Sequence, residues 1–167
     1  YQMLGAIFSV FAIDKENIGF TMNLMSGFSS ALTIAFMYWS IVLILLKIIS
    51  TDKFTLNRQL AISGAGLVGA LSFSFTDSFW FNAVEAEVYA MATLIMSILF
   101  YLGLRWEADM NKPKGNKWLL LICFVIGLSF GVHFMGLLTI PAIVLIFYFK
   151  NQKTIQNQST LTPNSSA

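Results

Sequence analysis

The sequence predicts an all-α fold: a polytopic membrane helical bundle with about five transmembrane helices and a short N-terminal interfacial helix. Three observations predict it. Of the 167 residues, 57% are hydrophobic and 11% charged, against about 25% charged in a typical soluble domain. The chain therefore lacks the polar faces that a water-covered surface requires. The apolar residues gather into runs long enough to cross a hydrocarbon core of roughly 30 Å. The cations gather in alternate connectors between those runs, the asymmetry of the positive-inside rule.

Residues 1–13 are apolar but too short to span, so they form an interfacial helix or a stub. Residues 19–46 make the first span, 59–76 the second and 88–104 the third. Residues 118–149 are too many for one upright helix. They suffice for two short ones, 118–133 and 137–149, meeting near His133 and Gly136 with Pro141 just beyond. That hairpin places Lys47, Lys53, Arg58, Arg105, Lys112, Lys114, Lys117, Lys150 and Lys153 on one side and leaves only Lys15 opposite. A single crossing would carry the last two lysines outside, so charge favours the hairpin. Residues 151–167 are rich in Gln, Asn, Ser and Thr without apolar periodicity, and read as a disordered tail. Residues 1–150 are thus a membrane domain fragment. Tyr1 is not a start methionine and no basic residue precedes the first apolar stretch, so the chain reads as starting inside a longer protein.

The formal net charge of +2 is too small to suggest a nucleic-acid partner, and no basic run is interleaved with aromatics. The single cysteine, Cys123, excludes a disulfide within the chain and reads as a packing residue. Gly64, Gly66 and Gly69 spell GxGxxG, but no strand precedes them. They read as helix-packing positions, as do Gly127 and Gly131. Asn23, Ser26, Ser29 and Ser30 read as polar glue between helices.

Five of the eight acids fall on the side opposite the cations: Asp14, Glu16, Asp77, Glu85 and Glu87. His133, the one histidine, is expected at the hairpin tip on that same side. Residues 77–89 are the informative stretch, with Asp77, Glu85 and Glu87 set among Trp80, Asn82, Tyr89 and two phenylalanines. Carboxylates this close to hydrocarbon are costly, although a solvated loop with an aromatic belt is the plainer reading. A helical stretch would put Asn82, Glu85 and Tyr89 on one face with Glu87 turned away. An extended one would put Glu85 and Glu87 on the same side.

Residues 77–90, Arg105-Trp106-Glu107 and residues 127–133, together with residues 1–6 and 22–26, resemble the protein O-mannosyltransferase-like family of the transmembrane protein 260 type. That family belongs to the GT-C superfamily of membrane glycosyltransferases. The resemblance implies a GT-C-like bundle of many transmembrane helices with its active site on the non-cytoplasmic face. It implies a polyprenyl-phosphate-linked sugar as donor, most simply mannose, and a protein Ser or Thr hydroxyl as acceptor. The family's main catalytic acid lies in a first outer loop that would precede Tyr1, so the isolated chain is expected to be inactive. The resemblance implies a bacterial inner membrane or an endoplasmic reticulum equivalent as its membrane.

On this reading Glu85, Asp77 and His133 are the catalytic candidates, and Glu87, Tyr89, Asn82 and Trp80 the substrate contacts. Transfer from a lipid phosphate needs a base for the hydroxyl and positive charge for the departing phosphate. Cations are scarce on that side, so a divalent metal such as Mg or Mn is a possible cofactor. Competing readings are a transporter or channel with an acidic and histidine ion path, whose sign would be a helix broken in mid-membrane, and a non-catalytic scaffold.

Overall fold

The computed structural model describes residues 2–12, 14–49 and 55–161, with side chains to residue 152, and every regular element in it is helical. The order is α1 (Gln2–Ser9), a 3-10 turn (Lys15–Asn17), α2 (Ile18–Ile48), α3 (Leu56–Ser74), α4 (Asp77–Val84), α5 (Val88–Asp109), α6 (Asn116–Ser129), a second 3-10 segment (Phe134–Thr139) and α7 (Ile140–Leu161).

The helix ends follow local chemistry. Thr76 adopts the extended N-cap conformation that starts α4, and Asp77 sits in the first turn, where a carboxylate meets the positive end of the helix dipole. Gly115 closes the turn between α5 and α6 so tightly that an added Cβ would overlap the Asp109 carbonyl oxygen, so only glycine fits there. Pro141, in the first turn of α7, needs no intrahelical partner for its missing N–H. At the far end of α2 the Arg58 guanidinium donates to the Ile49 carbonyl, neutralising the negative end of that helix.

Side-chain pairs fix the register. α2 and α5 run side by side in the same direction: Ser29 reaches Met91, Phe36 and Trp39 meet Tyr101, and Lys47 meets Glu107. α3 runs back along α2, where a Cβ on Gly66 would meet Val42 and Tyr38, and one on Gly69 would meet Ile41. α6 starts beside the end of α5 through Trp118 and Asp109 and runs antiparallel to it. The chain then reverses. α7 follows α5 again, with Gly103 against Ile143, Trp106 stacked on Phe147, and Lys150 beside Glu107. α5 is consequently the central helix, and the core cluster of Ile95, Leu99, Leu102, Trp106, Ile122 and Ile143 joins it to α6 and α7.

Around that core the surface is apolar. Phe20, Leu60, Val68, Leu120 and Phe124 are each more than 60% exposed, as helices bathed in lipid would be. Among the described residues three helical stretches are long and apolar enough to cross a membrane, 15–48, 88–109 and 134–152, or four if α3 and α4, bent by 70°, count as one span. The expectation of about five spans is thus met only to that extent. α6 has 14 residues, about 21 Å of helix, which falls short of the hydrocarbon core.

Other sequence expectations shift as well. Residues 151–161 continue α7 as helix where a disordered tail was expected, because no helix breaker intervenes before Pro163 and extending an existing helix is easy. Residues 162–167 and Lys53 lie outside the described residues. Cys123 is exposed rather than packed. Gly127 has nothing within 4 Å of a built Cβ, so it is no packing position, whereas a Cβ built on Gly136 would lie 2.7 Å from the Ser129 Cβ. Of the expected polar glue, Ser29 bonds the Met25 carbonyl at 2.9 Å and reaches the Met91 sulfur, Asn23 is exposed, and the buried hydroxyls of Ser26 and Ser30 are unpartnered.

Candidate functional site

The register collects the polar residues at the two ends of the bundle. One end holds Lys47, Arg58, Arg105, Lys112, Lys117 and Lys150. The other holds the start of α2 with Asp14 and Glu16 just before it, α4, the start of α5 and the turn at 130–133. The acidic stretch and His133 share that second end, as the charge pattern anticipates.

The stretch 77–89 is neither one helix nor one strand. α4 ends at Val84, Glu85 is extended (φ −106, ψ 144), and Glu87 is extended as the N-cap of α5 (φ −112, ψ 163). The Glu87 N–H donates to the Glu85 carbonyl at 2.9 Å, an i to i+2 bond that bends the chain tightly at Ala86. The helical alternative, with Asn82, Glu85 and Tyr89 on one continuous face, is therefore excluded. Asn82 turns back to donate to the Ser78 carbonyl at 2.8 Å.

Two groupings result. Asp77 and Trp80 line an open hollow of about 430 Å³ with Phe75, Phe81 and Val84, and Trp80 stacks on Phe75 at 6.5 Å. Trp80 also lines a smaller hollow of about 300 Å³ with Gly27 and Ser30 of α2. Separately, Tyr89 and His133 bring their rings to 5.6 Å, joining the start of α5 to the turn before α7. Glu85 and Glu87 lie on the chain between these groupings. His133 caps the second 3-10 segment by accepting the Met135 N–H at Nδ1, 3.2 Å away. That bond assigns the ring proton of the neutral imidazole to Nε2. Beside this pair an apolar groove of about 750 Å³ runs between α1, α5 and α6, with Val88 and Val132 at its rim.

None of Asp77, Glu85 and Glu87 forms an ion pair with another described residue. Among the described residues no three His, Cys, Asp or Glu side chains converge to hold a metal ion. These residues therefore do not make a metal site by themselves.

A family model decides the chain's relationship: residues 1–156 match the N-terminal domain of the protein O-mannosyl-transferase TMEM260. The chain belongs to that family. No curated protein and no solved structure matches it. The TMEM260 N-terminal domain match covers all the helices through most of α7, so both polar ends fall inside it. It bears out the resemblance carried by residues 77–90, 105–107 and 127–133. Family and apolar helices together make the chain part of an integral membrane protein.

Sequence reasoning missed the role of Glu107. It is 7% exposed, with Oε1 2.5 Å from Lys47 Nζ and 3.4 Å from Lys150 Nζ, and so ties α2, α5 and α7 together. The available signal was a pair of acids, Glu107 and Asp109, at the edge of a basic connector.

Proposed function

We propose that the full-length protein transfers a sugar, most simply mannose, from a polyprenyl-phosphate-linked donor to Ser or Thr hydroxyls of proteins, and that the acidic end of this chain forms one wall of the site. The family match over residues 1–156 carries this reading. Three features support it: carboxylates without ion-pair partners at one end, an aromatic ring for a sugar to lie against, and the neighbouring apolar groove, which suits an isoprenoid chain.

In the reaction the sugar C1–O bond to phosphate breaks and a C1–O bond to the acceptor oxygen forms. The hydroxyl proton passes to a carboxylate, and the phosphate leaves with the bonding electrons. Glu85 orients the acceptor or donor sugar, supported by Asp77, Glu87, Asn82 and Tyr89, and Trp80 offers a ring face. His133 Nε2–H donates toward the departing phosphate. A divalent metal, if the whole protein holds one, would need ligands from beyond the described residues. On the same reading the acidic end is non-cytoplasmic, the fold is GT-C-like with α6 as a short fifth crossing, and the isolated chain is inactive.

Glu85→Gln in the full-length protein, assayed for mannose transfer from polyprenyl-phosphate mannose to a Ser/Thr peptide, tests the assignment. Loss of transfer with an unchanged thermal midpoint is expected, and full activity would overturn it. The ion-path reading gains one observation, the 70° break between α3 and α4. The break lies at the acidic end, with Ala83 of α4 near Gly27, rather than in mid-bundle. Ion flux by the purified protein in liposomes would favour that reading instead.

A further inference from the structure

The hollow of about 300 Å³ between α2 and α4 is lined by Ser30 and Ile34 of α2, Ser74 of α3, and Phe79 and Trp80 of α4, among others. None of its lining residues is charged. Trp80 and Val84 also line the hollow that holds Asp77, so the two adjoin.

The hydroxyls of α2 divide into two groups. Thr21, Ser29, Thr33 and Ser40 each donate to the backbone carbonyl four residues back, at 2.8 to 3.0 Å. Ser26 and Ser30 do not: both are buried, and neither hydroxyl has a hydrogen-bond partner. Of these two only Ser30 lines the hollow. Ser74, the other hydroxyl in the lining, already donates to the Leu71 carbonyl at 2.7 Å. A buried hydroxyl left unpaired in an otherwise apolar wall calls for a partner, and the hollow is where one can enter.

We propose that this hollow receives a tyrosine side chain of the acceptor protein, close in sequence to the modified Ser or Thr, with its ring against Phe79 and Trp80 and its phenol hydrogen-bonded to Ser30. The proposal rests on the transferase reading above and names the acceptor feature that this end of the chain selects. The uncharged lining disfavours Lys, Arg, Asp and Glu side chains, which would enter without a counter-charge. An acyl or isoprenoid chain would cover the rings and leave Ser30 unpaired. A sugar would pair with Ser30 and set its other hydroxyls against Ile34, Phe79 and Val84. Tyrosine brings an apolar ring and a single hydroxyl, the combination that the walls present.

The test uses full-length protein in nanodiscs and fluorescent Ser/Thr peptides carrying tyrosine, phenylalanine or alanine in turn at each position flanking the acceptor residue. Binding is read by anisotropy, and mannose transfer separately. At one position tyrosine should bind about tenfold more tightly than phenylalanine, the effect of one hydrogen bond to an otherwise unpaired group, and phenylalanine more tightly than alanine. Ser30→Ala, with its thermal midpoint unchanged, should abolish the preference for tyrosine and keep that for phenylalanine over alanine. Ser26→Ala, outside the hollow, should leave both preferences in place. The proposal is overturned if no position prefers tyrosine to phenylalanine, or if the preference survives Ser30→Ala. A bound lipid lost from Ser30→Ala with peptide binding unmoved would assign the hollow to lipid instead. Transfer to the alanine peptides without any tyrosine preference would remove this subsite and leave the transferase reading standing. Tyrosine-dependent binding without transfer would do the reverse.

Discussion

At the basic end of the bundle the carboxylates are paired. Glu107 lies between Lys47 and Lys150, and Asp109 accepts from Lys112 at 2.7 Å and from the Trp118 indole at 2.8 Å. At the acidic end Asp77, Glu85 and Glu87 form no such pair with another described residue, and the contact there is between the rings of Tyr89 and His133. Paired charges at helix ends hold neighbouring helices in register. Carboxylates without an ion-pair partner are free to meet a substrate, the role proposed above for Glu85. Mutations at the two ends should therefore separate stability from activity.

The largest effect is expected from Lys47→Ala with Lys150→Ala, which strands the buried Glu107 carboxylate. A loss of about 3 kcal/mol, the low end for an uncompensated buried charge, should appear as a fall in the thermal midpoint in detergent. An unchanged midpoint would mean that the triad does not join the helices. Glu85→Gln reverses the pattern, with transfer falling about a hundredfold, the lower range for a lost acid or base, and stability unchanged to within about 0.5 kcal/mol.

Packing around the turn at 130–136 is next. Gly136→Ala drives a Cβ to 2.7 Å from Ser129 Cβ and should cost about 2 kcal/mol. Gly127→Ala, in open space nine residues earlier along the same stretch, should be neutral or stabilising by up to about 1 kcal/mol. The smallest effect on stability is expected at His133. His133→Ala removes the acceptor for the Met135 N–H and should cost about 1 kcal/mol, while His133→Asn retains a capping oxygen and should cost little. Both should lose transfer. Full activity in the asparagine variant would reduce the imidazole to a cap.

Much of the acidic end was legible in the sequence, because a charge in an apolar chain has few places to sit. The positions of Asp77, Glu85, Glu87 and His133 relative to the apolar runs placed them together before any coordinates. The break at residues 85–87 was not legible. Glu and Ala favour helix, and only the need to turn from α4 into α5 overrides that preference. The Tyr89–His133 contact joins residues 44 positions apart in the numbering, and no local pattern encodes it.

By itself the sequence determined the solvent, the helical class and the segregation of charge, since composition and the spacing of charged residues fix what lipid will accept. Only the tertiary structure decided which side of each helix faces protein. That is why Cys123 lies exposed, Gly136 rather than Gly127 is packed, and Glu107 is buried among lysines. The physical reason is that a side chain meeting lipid and one meeting another helix are equally apolar, so hydropathy cannot tell them apart.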